Sequence, residues 1–154
     1  MILPVGKDNR AFTLIELVLV LLLIGVGTMI VLPNIDKALA DREVRVTALG
    51  LAATARDLRS RALFDGAPQE LLLDLSQNSY LAAQSEEVRL PLQVKFLSVE
   101  GGESVDRDIK RFYFFPNGST LGGEIVLGGE KGPPYRVRLE GLTGKVAVSR
   151  GDRS

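Results

Sequence analysis

The sequence predicts an α+β fold, in which a long N-terminal helix packs against the antiparallel β-sheets of a C-terminal globular head. Two observations carry this prediction. Residues 12–64 keep an apolar or amphipathic pattern with helical spacing. From Glu70 onward, apolar residues alternate with polar ones, which is the period of half-buried strands. A chain of 154 residues is long enough for one such domain and an appendage.

The first half of the predicted helix is an almost uncharged apolar run. The run from Phe12 to Leu32 would span about 31 Å as a helix, which is the thickness of a bilayer core. Lys7 and Arg10 precede it, and basic residues favour the cytoplasmic side, so the rest of the chain is predicted to lie across the membrane. One carboxylate, that of Glu16, lies in the first turn. Because an unpaired ion in hydrocarbon is costly, Glu16 is predicted to be functional.

Glycine and proline follow near the end of this run. Gly25 and Gly27 weaken a helix locally, and Pro33 removes a backbone donor. This stretch is therefore a candidate for bending or partial unwinding, or its glycines allow close helix packing in the membrane. A cleaved signal peptide is an alternative, since Ala38-Leu39-Ala40 fits a small-x-small cleavage pattern. A signal peptide, however, does not account for Glu16.

The second half of the predicted helix, 34–64, is amphipathic. Apolar residues recur at three- and four-residue steps, and charged side chains lie largely on the other sides. The helix is expected to end at Asp65-Gly66 and Pro68. The predicted apolar face consists of Ile35, Ala38, Leu39, Val46, Leu49, Ala53 and Leu58.

The head, 65–154, is predicted to consist of short strands joined by Gly-rich turns. A hairpin is expected around Ser76-Gln77-Asn78, and a tight turn from Gly141 to Gly144. The predicted strands are Glu70–Leu75, Ser79–Gln84, Leu92–Phe96, Lys110–Phe115, Glu124–Leu127, Tyr135–Glu140 and Lys145–Ser149.

The composition limits the chemistry of any site. The chain has no Cys and no His, which removes disulfides, thiolate metal sites and the commonest general base. The formal net charge is zero, so charge alone does not require a nucleic-acid partner. A polar loop with Glu103, Asp106 and Asp108 offers carboxylates, but their spacing is not that of an EF-hand. We therefore expect no catalytic residues, no metal site and no cofactor.

The beginning of the chain, through Pro33, resembles the prepilin signature of type IV pilins and type II secretion pseudopilins. In that family a short basic leader ends in a small residue, followed by Phe, Thr, Leu, Ile, Glu and a long apolar helix. Here Ala11 stands at the end of the leader, where the family prefers Gly. Phe12 would be the first mature residue and Glu16 the fifth. Gly25 and Pro33 stand where the family also tends to carry Gly and Pro.

The resemblance implies processing and assembly. A prepilin peptidase would remove the leader, 1–11, by cutting between Ala11 and Phe12, and would methylate the new amine. A transmembrane helix, 12–33, would then hold the subunit in the bacterial inner membrane, with the head in the periplasm. An inner-membrane assembly platform would pass it from the lipid bilayer to a filament of other pseudopilins or pilins. There, Glu16 would neutralise the amine of a neighbouring subunit.

The C-terminal part carries a second resemblance, to the H-type minor pseudopilins and the related FimT-like minor pilins. It rests on Phe114-Phe115-Pro116-Asn117-Gly118-Ser119-Thr120 and on the ending 135–146. The resemblance implies a minor subunit at the filament tip or in its initiation. The predicted function is therefore that of a minor pseudopilin in a type II secretion system, which exports proteins.

Two other functions stay open at this point. One is a type IV minor pilin that binds or takes up DNA, because basic residues concentrate near the C-terminus and phosphate contacts need them. Surface charge on an exposed sheet explains the same residues more simply. The other is a membrane-anchored enzyme, which is disfavoured because no nucleophile–base pair is visible without His or Cys. The basic residues are Arg136, Arg138, Lys145, Arg150 and Arg153.

Overall fold

The computed structural model describes residues 13–83, 85–130 and 132–151, with only the backbone for 29–38. The described residues form one α-helix and nine β-strands. The chain divides into two compact units, Met1–Asp36 and Lys37–Ser154. Helix α1, Leu14–Asp65, contributes residues to both. The predicted α+β fold, with one long helix before the strands, is confirmed.

The first unit contains the N-terminal part of α1, which begins with a side-chain cap. The Thr13 hydroxyl accepts a hydrogen bond from the backbone N–H of Glu16 at 3.3 Å. Its carbonyl oxygen accepts one from the N–H of Leu17 at 3.2 Å. These contacts satisfy donors that a helix start otherwise leaves free. The apolar side chains that follow are exposed on every side, a pattern typical of helices that are covered by lipid or by other helices.

The second unit contains two antiparallel sheets. The first has five strands in the order β3-β2-β1-β6-β5, and the second has four in the order β4-β7-β8-β9. The strands are β1 Gln69–Asp74, β2 Ser79–Ala82, β3 Val88–Arg89, β4 Lys95–Gly101, β5 Glu103–Ser104, β6 Ile109–Phe114, β7 Gly123–Gly128, β8 Tyr135–Leu139 and β9 Val146–Arg150.

The core of this unit lies between the sheets and the C-terminal part of α1. The helix contributes a buried face rich in alanine. The sheets contribute larger side chains, including Phe112 and Phe114, both fully buried. The buried residues of the helix are Val44, Ala48, Leu51, Ala52, Ala55, Leu58 and Ala62.

The predicted apolar face of residues 34–64 is therefore largely wrong. Of its described members only Leu58 is buried, whereas Leu39 is 56 % exposed and Val46 59 %. Leu49 and Ala53 are exposed as well, and the side chains of Ile35 and Ala38 lie outside the described residues. The error has a physical cause. This part of the helix carries apolar residues on two sides, and the side with more small residues is the one that packs.

Most predicted strands are confirmed, with ends shifted by one or two residues. The exception is Leu92–Phe96. There the chain turns first, with the Val94 N–H donating to the Pro91 carbonyl at 2.9 Å, and β4 begins only at Lys95. The hairpin around 76–78 is confirmed, with Asn78 in the left-handed region at φ 54°.

Candidate functional site

Glu16 lies in the first turn of α1 with an exposed side chain. It forms no ion pair with any other residue in the part of the chain that the structure describes. The positive end of the helix dipole favours a carboxylate at this position, but only modestly. The residues of the predicted cleavage site, Ala11 and Phe12, lie outside the described residues.

The helix runs through Gly25 and Pro33 without a break. A Cβ on Gly25 or Gly27 would meet no atom within 4 Å, so both glycines leave the helix surface open. The Thr28 hydroxyl donates to the carbonyls of Ile24 at 2.8 Å and Gly25 at 2.9 Å. Such back-bonding competes with the helix ladder and often bends it slightly. Unwinding between Gly25 and Pro33 during assembly stays a prediction.

No helix among the residues that the structure describes is long and apolar enough to cross a membrane. Of the predicted span 12–33, residue 12 and the side chains of 29–33 lie outside the described residues. The span and the other predicted domain boundaries stay predictions.

Three of the basic residues near the C-terminus lie beside carboxylates. Arg138 donates through Nε and Nη2 to Glu124 Oε2, at 3.2 and 3.0 Å. Arg136 Nε lies 3.5 Å from Glu124 Oε1. Arg150 Nη2 lies 3.8 Å from Asp41 Oδ2 on α1. Three of the five predicted nucleic-acid contacts therefore have a carboxylate beside them.

The two remaining residues are Lys145 and Arg153. Lys145 is exposed just before β9, whereas Arg150 ends that strand. Arg153 lies outside the described residues. A shared basic surface formed by all five residues therefore stays a prediction.

A polar cluster ties β8 and β9 to α1. Tyr135 is buried where its strand faces Arg150, and Asp41 of the helix lies beside both. Burial raises the pKa of the Tyr135 hydroxyl, and the Asp41 carboxylate raises it further, while Arg150 opposes the shift. The hydroxyl thus stays protonated and can donate a hydrogen bond to the Asp41 carboxylate, which links β8 to α1.

Sequence reasoning missed two arginines of α1 by treating them as a solvated face. Arg59 donates from Nε to the Gly118 carbonyl at 3.1 Å and from Nη2 to the Thr143 carbonyl at 2.9 Å. Arg56 Nη2 donates to the Val146 carbonyl at 2.9 Å. Their three-residue spacing places both on one side of the helix. No sequence signal indicated that two loops meet there.

Two glycines make this meeting possible. Gly118 and Gly144 have φ of 83° and 61°, which side chains rarely adopt. A Cβ on Gly144 would overlap the Gly118 carbonyl oxygen and crowd Arg59 Nε at 2.6 Å. The stretches 114–120 and 135–146 that carry the second resemblance are therefore adjacent, and Arg59 connects them.

No group of three or more acidic side chains among the described residues is placed to hold a metal ion. In the loop with Glu103 and Asp108, Asp106 Oδ1 accepts the backbone N–H of Arg107 at 2.7 Å. That contact is a local turn.

The chain is similar to known proteins over most of its length. Residues 6–32 match the family described as the prokaryotic N-terminal methylation motif. The type II secretion system protein H of Xanthomonas campestris pv. campestris is 28% identical over 144 residues, which are 92% of this chain and 84% of that protein. The predicted resemblance to the pilin and pseudopilin family is confirmed.

The pseudopilin-like fold extends through the head. A structure of the minor pseudopilin EpsH from the type 2 secretion system of Vibrio cholerae matches with a TM-score of 0.56 and 12% identity, over 70% of this chain and 97% of that chain. A second EpsH structure matches with a TM-score of 0.53 and 12% identity, over 74% and 98%. At this identity the two matches show a shared fold.

Proposed function

We propose that this chain is a minor pseudopilin of a type II secretion system, assembled through its N-terminal helix into the periplasmic pseudopilus for protein export. The observation that carries the proposal is the similarity to a protein H over 92% of the chain. The methylation motif over residues 6–32 and the EpsH-like head support it from both ends of the sequence.

The motif supports a sequence of processing steps. We propose that a prepilin peptidase cuts between Ala11 and Phe12 and methylates the new amine of Phe12. The subunit then waits in the inner membrane with its head in the periplasm, and joins other pseudopilins at the tip or during initiation. No enzymatic activity of the chain itself is part of the proposal.

Glu16 supplies the chemistry of assembly in this account. Its carboxylate has no ion-pair partner among the described residues, and the helix around it is apolar. Burying such a group among other helices without a partner would cost several kcal/mol. The methylated amine of a neighbouring subunit would neutralise the carboxylate and fix the axial register between the subunits.

Gene deletion and complementation test the proposal. Deletion should abolish export of the proteins that the type II system secretes, and the wild-type gene should restore it. Glu16→Ala should insert in the membrane normally but be recovered in crosslinked pseudopili at a level well below that of wild type. Glu43→Ala, which removes an exposed carboxylate further along the same helix, is the matched control and should assemble normally. Unchanged export after deletion, with loss of type IV pili, would favour the pilus alternative.

DNA uptake, the function in the alternative interpretation, gains no support from the head. Arg136 and Arg138, two of the predicted nucleic-acid contacts, share the carboxylate of Glu124. A phosphate would have to compete with that carboxylate for the two guanidinium groups. DNA binding is therefore left out of the proposed function.

A further inference from the structure

We propose that a cationic cleft at the β8–β9 turn of the head binds a carboxylate-bearing, acidic segment of a partner protein. The cleft has a volume of about 430 Å³. It lies where α1 meets the turn that joins the last two strands. The residues that line it are Arg56, Arg59, Thr143, Gly144, Lys145 and Val146.

The three cations of the cleft form no direct ion pair among the described residues. Arg56 and Arg59 are held by backbone carbonyl oxygens, which fix the guanidinium groups without neutralising them. Lys145 is exposed at the same turn. Within the part of the chain that the structure describes, none of the three has a carboxylate within ion-pair distance. By contrast, Arg136 and Arg138 share the carboxylate of Glu124, and Arg150 lies beside that of Asp41.

The arginines also keep donors for a ligand. A guanidinium has five N–H donors, and the described contacts use one in Arg56 and two in Arg59. The planar fork of such a group matches a carboxylate in a two-point contact. Because the carbonyl contacts already fix the side chains, less rotamer entropy is lost when the anion binds.

The surroundings favour a carboxylate of a protein over a nucleic acid. Glu140 lies on the same turn, where its Oε2 accepts the Thr143 hydroxyl at 2.8 Å. Asp57, next to Arg56, pairs with Arg61 at 2.8 Å. A phosphate backbone carries one charge every few ångströms and would run against these acids, whereas a segment with one or two carboxylates would not. The cleft is also of the size of a side-chain or small-ligand pocket, not a track.

This inference goes beyond the proposed function, because assembly through the N-terminal helix does not require the cleft. An acidic segment of another filament subunit and one of an exported protein have the same recognition chemistry. Once binding to the cleft is established, capture assays with purified filament subunits and with purified exported proteins distinguish these two sources.

The test uses the full chain in detergent and a fluorescent, acetylated peptide that carries one Asp-Glu pair among neutral residues, with fluorescence anisotropy at low salt. We expect saturable binding that the Asn–Gln peptide of the same length does not show. The double variant Arg56→Gln/Lys145→Gln should weaken the affinity at least about tenfold. The matched control Arg89→Gln/Lys95→Gln removes two exposed positive charges elsewhere on the head and should change it less than about twofold.

The single variant Lys145→Glu distinguishes a loss of binding from a loss of folding. Its exposed side chain makes no hydrogen bond or ion pair within the part of the chain that the structure describes, so the variant should keep the wild-type circular dichroism spectrum and still lose binding. No saturable binding, equal loss in both double variants, or unchanged affinity of Lys145→Glu would overturn the proposal. Tighter binding of a single-stranded oligonucleotide, lost in the same variants, would overturn the protein partner. Normal export in the deletion strain would reject the proposed function but leave this result standing.

Discussion

Arg59 connects two loops of the head to helix α1. One side chain reaches Gly118 and Thr143, and so holds two loops that are far apart in sequence against α1. The glycines beneath it allow the approach because they adopt positive φ and carry no Cβ. The sequence alone indicates that these glycines lie in turns. Their common partner could not, because it lies some sixty to eighty positions away.

Gly144→Ala should destabilise the head strongly. The new methyl group would overlap the Gly118 carbonyl oxygen, and the backbone would be strained at φ 61°. We expect the free energy of unfolding to fall by about 2–4 kcal/mol in chemical denaturation.

Gly50→Ala is the matched control for this substitution. Gly50 lies in the interior of α1, and a Cβ there meets no atom within 4 Å. The free energy of unfolding should therefore rise by about 0.5–1 kcal/mol. Equal stability of the two variants would contradict the described packing of the loops.

Asp74 should make the β1–β2 turn sensitive to acid. Its Oδ1 accepts the Ser76 hydroxyl at 2.6 Å and the Gln77 N–H at 2.8 Å, and these bonds lower the pKa of the carboxyl group. A lowered folded-state pKa means that the stabilisation is present above the unfolded pKa of about 4 and is lost as the pH falls through the folded one.

The comparison of wild type with Asp74→Asn measures this effect. Wild type should be more stable at neutral pH by about 1 kcal/mol in denaturant titrations. The difference should shrink as the pH is lowered below about 4. A difference that is independent of pH would show that charge on Asp74 does not stabilise the turn.

Helix α1 shows at the scale of an element which patterns can be predicted and which cannot. Its length and its end near Asp65 follow from the helical spacing and the Gly-Pro signals. The buried face could not be predicted in this way, because apolar residues lie on two sides of the helix and only one side packs against the sheets. The prediction of a strand over Leu92–Phe96 was wrong for a similar reason. The first residues of the alternating pattern belong to a turn at Pro91–Val94, and β4 begins only at Lys95.

Leu51→Ala and Leu49→Ala distinguish the two faces directly. Leu51 is fully buried, whereas Leu49 is 42 % exposed. Removing the Leu51 side chain should lower the free energy of unfolding by about 2–5 kcal/mol. The same change at Leu49 should cost less than about 1 kcal/mol. The reverse order in thermal or chemical unfolding would place the core on the face that the sequence pattern favoured.

The whole molecule combines a head with its own core and an N-terminal helix whose apolar surface is left to other partners. The resemblance in the sequence anticipated both parts, because the motif near Glu16 and the two head stretches are distinctive. The position in the filament and the exported proteins have no such local signal. They depend on surfaces of other proteins, so complementary residues cannot be found in this chain alone.

Intact-mass measurement of the chain recovered from crosslinked pseudopili of secreting cells tests the central claim most directly. The account predicts a polypeptide that begins at Phe12, lacks residues 1–11 and carries one added methyl group. In a strain without prepilin peptidase the full-length chain should accumulate in the membrane and be absent from the crosslinked material. An uncut amino terminus in pseudopili that export protein would contradict the account.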